Sequence, residues 1–129
     1  MNAAKRDRGS NSAAQTDFTA EAWEGFLMGR HLLATTDDAL TEAQMAELQG
    51  YRDQAIGAWE KAIAATVIHY INDTIGDMDA DEADYDFYDH AKHWSEMKGF
   101  AFSFQFNPRS PVSAADFAEI HTAMGTAPE

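Results

Sequence analysis

Apolar residues recur along the chain at three- and four-residue intervals between a few polar breaks, and that pattern predicts four helical segments. In residues 18–35 the stripe is Trp23, Phe26, Leu27, Arg30, Leu33 and Ala34. TTDDAL (35–40) breaks the pattern. Thr41 with Gln44 forms a capping-box pair, and Glu42 suits the first turn of the helix that follows. That helix runs to about Ile75, with Gly76 placed as the residue just past its end. Its main stripe is Met45, Leu48, Arg52, Ile56, Trp59, Ile63, Val67, Tyr70 and Ile71. The opposite face carries Ala55, Ala58, Ala62, Ala65 and His69, small residues that let another helix approach closely. This segment therefore reads as a central helix covered on two sides. At 1.5 Å per residue it spans about 50 Å, with Gly50 or Gly57 marking a bend.

DMDADEADYD (77–86) reads as an acidic linker into a third helix over 83–106, with a stripe of Asp86, His90, His93, Met97, Phe100, Ala101 and Phe104. FAFSFQF (100–106) alternates apolar and polar as a strand would, but it continues a helical pattern directly, so helix is expected. Asn107, Pro108 and Pro111 break the chain. Ser113 with Asp116 then caps a short helix holding Phe117, Ile120, His121 and Met124, closed by Gly125. The expected fold is all-α, a bundle of about four helices with one long central helix. Residues 17–129 form the helical domain, and 1–16 a polar, disordered leader.

Length and composition fit one domain with a real core: 129 residues, 45% hydrophobic. There is no cysteine, which removes disulfides, thiolate metal sites and thiol nucleophiles. The net charge is −13, and because Lys5, Arg6 and Arg8 face only Asp7 in the first sixteen residues, residues 17–129 carry −15. Phosphate backbones and anionic lipid would repel such a body, so nucleic acid is excluded as an expected partner in favour of cations or basic proteins. No apolar run reaches the roughly 18 residues that a membrane span needs, and the basic N-terminus lacks the hydrophobic stretch of a signal peptide.

Chemistry concentrates in DFYDHAKHWSE (86–96). On a helix, Asp86, His90 and His93 fall within about 60° of one another, with Glu96 on the adjoining flank. Imidazole with a carboxylate one turn away is how helical bundles present ligands to iron, manganese or zinc. The same residues can equally be structural, with His90 and His93 at a helix surface and Asp86 and Glu96 in ordinary helical pairs. Glu60 lies inside the apolar stripe of the central helix, and a buried carboxylate needs a partner. A metal, a histidine, Arg30 or Arg52 would serve. His69 points to nearly the opposite side of the same helix and reads as a core histidine. His31 and His121 stand in no carboxylate pattern. Asp77, Asp79 and Asp81 open like a calcium-binding EF-hand loop, but Glu82 and Tyr88 stand where glycine and the bidentate glutamate belong. No organic cofactor motif and no catalytic constellation is present, so no enzyme is expected.

WEKAIAATVIHYIN (59–72), HAKHWSEMKGFAFSFQFNP (90–108) and the closing SPVS…F…IH…MG (110–125) resemble domain-of-unknown-function family 4856, over residues 40–125. That resemblance implies a bacterial envelope protein of several hundred residues, often a lipoprotein, and hence a periplasmic or outer-membrane-anchored address. It also implies that this chain is incomplete. The family is distantly similar to the imelysin group, helical proteins tied to iron uptake and marked by G-x-H-x-x-E. Here His93 and Glu96 occupy the corresponding positions, and Ala91 replaces the glycine. Two functions are therefore expected. One is non-catalytic binding of iron, zinc or another divalent transition metal by His93 and Glu96 with His90, Asp86 or Glu60. The other is a helical module that contacts a protein or glycan, its histidines structural. If the first two helices leave an apolar face bare, a homodimer would cover it.

Overall fold

The structure, a computed structural model, describes residues 2–9, 12–81 and 83–128. It is all-α, as the periodicity predicts: α1 (Asn2–Arg6), α2 (Phe18–Ala34), α3 (Glu42–Met78), α4 (Phe87–Phe102), a single 3-10 turn (Ser103–Gln105) and α5 (Ala114–Ala123). Among the described residues the sole extended pairing is one bridge between Arg8 and Thr16. The FAFSFQF segment is helical, tightening to the 3-10 turn at its end. The chain divides into two compact units, residues 1–62 and 63–129, with α3 contributing to both.

In the first unit, the described residues ahead of Asp17 include α1 and the bridge between Arg8 and Thr16. The Thr19 hydroxyl donates to Asp7 at 2.6 Å. Asp17 caps α2 by accepting from the Ala20 amide, which satisfies one of the four amides a helix start leaves open. The Thr41–Gln44 box forms as expected: Gln44 N–H donates to Thr41 Oγ1 at 3.2 Å, and Thr41 N–H donates to Gln44 Oε1 at 3.0 Å.

The faces of α2 and α3 are used differently from the expectation. The buried residues of α2 are Phe18, Ala22, Gly25 and Gly29, and those facing them from α3 include Ala55. Large residues of the expected core stripe stay outside: Trp23, Phe26, Leu27, Leu33 and Trp59 are 50–67% exposed. The cause lies at Gly25. A Cβ there would sit 2.7 Å from the Tyr51 carbonyl oxygen and 3.0 Å from the Ala55 amide nitrogen, so the two helices approach backbone to backbone. Small residues permit that approach, and dispersion across it holds the pair.

In the second unit, the core is Val67, Ala101 and Phe104, packed by Ile63, Ile71, Phe100, Phe117 and Ile120. Tyr70 stacks on Phe100 at 5.8 Å. α3 does not stop at Gly76; it runs to Met78. Gly76 has no positive φ, and Asp79 N–H still donates to Ile75. Ser113 and Asp116 form a full capping box on α5. Gly125 follows that helix at φ 68°, the left-handed conformation glycine adopts without a Cβ clash.

Candidate functional site

Four of the five sequence-selected ligands lie in the second unit, and each is engaged differently. Asp86 is not on the helical stripe. It precedes α4 as its N-cap, with the carboxylate accepting from the Tyr88 amide at 2.7 Å. Its extended backbone (φ −116°, ψ 107°) follows from that role. His90 is buried, 2% exposed, and shares a 2.9 Å hydrogen bond between Nδ1 and the Tyr85 hydroxyl.

His93 is half-buried and its Nδ1–H donates to the Asp77 carboxylate at 2.8 Å. Asp77 reaches it because α3 extends past Gly76, carrying this aspartate onto the last turn of the helix rather than into the linker. Tyr70 lies roughly parallel to the His93 ring, 6.2 Å away. Glu96, one turn on, is half-buried. Glu60 belongs to the first unit, is 8% exposed and is engaged within the protein. Arg52, one of its expected partners, pairs with Asp53 at 2.9 Å.

Among the described residues, no three His, Asp or Glu side chains gather as a metal would require. His69 pairs with Asp73 at 3.2 Å along α3. His121 rests on Phe117 at 4.3 Å between ring centroids. The sequence reading missed Asp77 as a partner of His93 and Tyr85 as a partner of His90. Both sit in the segment assigned to the linker; the Asp77–His93 pair reaches across a loop and leaves no periodic signal, whereas Tyr85 directly precedes the N-cap of α4 and meets His90 at a local spacing.

The first unit carries a different feature. An apolar groove of about 680 Å³ runs between α2 and the first half of α3, lined by Phe26, Leu33, Leu48, Tyr51, Ala55 and Ile56. Its charged lining residues are Arg30 and Arg52. Phe26 and Trp59 meet across it at 5.6 Å between ring centroids. The groove exists because the small faces of the two helices are zipped together. Their large apolar side chains then flank the seam on one side.

Tyr51, also in the groove lining, bonds along α3. Its hydroxyl donates to Glu47 at 2.7 Å, and that bond, with some desolvation and the negative charges of Glu47 and Glu24, raises the phenol above its ordinary value of 10.0. No helix among the described residues is long and apolar enough to cross a membrane.

No family model, curated protein or solved structure matches the chain.

Proposed function

We propose that this protein is a helical interaction module that works as a homodimer through the α2/α3 groove. The observation that carries the reading is the exposed apolar flank of that hairpin. Trp23, Phe26, Leu33 and Trp59 leave on the order of 500 Å² of apolar surface open, by the usual sizes of such side chains. A standard stable interface buries about 800 Å² per partner. Exposed apolar patches of this extent mark interaction surfaces.

The occupant we infer is a second copy. Two helices with one bare apolar flank form half of a four-helix bundle, and a two-fold axis makes the same patch complementary to itself.

The test is size-exclusion chromatography with light scattering, comparing wild type with Phe26→Glu and Leu33→Glu. Both residues are exposed, so the variants keep their helical circular dichroism. The expected result is a dimer that dissociates at least tenfold more readily in each variant. A wild type that stays monomeric, or variants that dimerise equally well, overturns the proposal.

A second reading is favoured by one contact. A carboxylate on Nδ1 of an imidazole is how metal-binding histidines are oriented, leaving Nε2 for the ion. Asp77 holds His93 in that manner. The metal would be a divalent transition ion, with Glu96 as a further ligand. Metal content of wild type beside His93→Ala/Glu96→Ala decides it: stoichiometric zinc or iron lost in the double variant supports the reading, and a metal-free folded wild type counts against it.

A further inference from the structure

Three of the six methionines, Met78, Met97 and Met124, line a single groove of about 570 Å³ in the second unit, and His90 lines it with them. Three elements deliver these side chains: the last residue of α3, the middle of α4 and the C-cap of α5. Methionine supplies three of the thirteen lining residues, against 6 in 129 for the chain, so the enrichment is local.

The lining contains no Asp, Glu, Lys or Arg, so calcium, magnesium and other hard cations find no charged oxygen there. Beside the hydroxyls of Thr74 and Thr126 it offers thioether sulfur and imidazole nitrogen, a neutral donor set that suits Cu(I). A monovalent ion also suits a site without an anionic ligand, and the acidic body draws cations toward it.

The geometry orients the donors. The Tyr85 hydroxyl occupies Nδ1 of His90, which leaves Nε2 as the ring nitrogen for an ion, the arrangement that positions metal-binding imidazoles. Met97 lies two turns along the same face of α4, and both it and His90 line the groove. Between them, Trp94 Nε1–H donates to the Met124 carbonyl at 2.9 Å. Lys98 Nζ donates to the Gly125 carbonyl at 2.7 Å. These two bonds pin the end of α5 against α4 and hold Met124 beside the pair.

We propose that this groove is a Cu(I) site with Met97, Met124 and His90 Nε2 as ligands, and the more exposed Met78 at its mouth. The site is independent of the α2/α3 groove, so the two proposals stand or fall separately.

The test uses the whole chain under anaerobic conditions, in competition with a chromogenic Cu(I) chelator. Met97→Leu and Met124→Leu remove sulfur while nearly conserving volume and apolarity, so the fold is retained. The expected result is one Cu(I) per chain, and affinity reduced in each variant by more than the roughly tenfold that loss of an outer-shell partner costs. A second measurement needs no variant. In methionine-methyl NMR, Ag(I), a redox-inert stand-in for Cu(I), shifts Met78, Met97 and Met124 and leaves Met28 and Met45 in place. No Cu(I) retained against the chelator, leucine variants that bind like wild type, or Ag(I) shifts at Met28 and Met45 would each overturn the proposal.

Discussion

Replacing Gly25 by alanine adds one methyl group, and the structure says where it goes. The new Cβ lies 2.7 Å from the Tyr51 carbonyl oxygen, 3.0 Å from the Ala55 nitrogen and 3.1 Å from the Ala55 Cβ. Carbon–oxygen contacts in proteins settle at about 3.3–3.6 Å, so α2 and α3 must separate by roughly 0.6 Å or more. Two of the three obstacles are backbone atoms within a helix, which cannot rotate aside. Overpacking of this kind costs about 1–3 kcal/mol, and a gap of 0.5–1 Å along the rest of the seam forfeits a quarter to a half of each contact's attraction. Against this, alanine gains about 0.8–1.0 kcal/mol over glycine in a helix interior. The net expectation is a loss of about 1–2 kcal/mol.

Gly29→Ala, one turn further along the same face, reverses the sign. Its Cβ would meet Leu48 Cδ1 at 3.5 Å and Tyr51 Cβ at 3.6 Å, ordinary contact distances. Helix propensity and a buried methyl then stabilise by about 1 kcal/mol. Urea unfolding followed by far-UV circular dichroism, at one fixed protein concentration, reads both variants. Effects of the same sign, or a Gly25→Ala protein as stable as wild type, would refute backbone-level packing of α2 on α3.

Other perturbations probe the remaining parts of the fold. Ser113→Ala removes the 2.7 Å bond to the Asp116 side chain and the acceptor for its amide, and is expected to cost about 1 kcal/mol by the same unfolding assay. Gly57→Ala meets nothing within 4 Å and is expected to stabilise by up to about 1 kcal/mol; a loss there would mean the α3 surface is covered. Tyr51 should ionise above the ordinary tyrosine value of 10.0 when absorbance at 295 nm is followed to alkaline pH, and Glu47→Gln should bring it back. Because the folded phenol is raised, its contribution to stability is complete below the ordinary value of 10.0 and is lost as pH rises through the folded value. Stability that instead increases across that interval would contradict the Tyr51–Glu47 bond.

Helix positions and caps were readable because they depend on neighbours in sequence. Thr41 with Gln44, Ser113 with Asp116 and the Gly125 terminus are local chemistry, and the structure bears them out. The direction in which α2 faces was not readable from periodicity. Hydrophobic spacing nominates Trp23, Phe26 and Leu33 as core, yet close approach at Gly25 puts Ala22, Gly25 and Gly29 inside. The signal was present as three small residues at three- and four-residue spacing, and the large stripe beside it drew the eye. Gly76 misled in the same local way. A glycine late in a helix resembles a terminus, but α3 continues because nothing opposes helical φ there, and the extra turn sets Asp77 against His93. The third helix was expected from residue 83 and begins at Phe87, so Asp86, its N-cap, was counted on the helical stripe. The Asp77–His93 contact joins residues across a loop, and no single-sequence pattern encodes it.

The central claim, that the bare flank of α2 and α3 is an interface between two copies, is tested most directly by sedimentation equilibrium of the unmodified chain at tens of micromolar. The expected mass is twice the 14.3 kDa of one chain. A single species at 14.3 kDa over that range would contradict the claim.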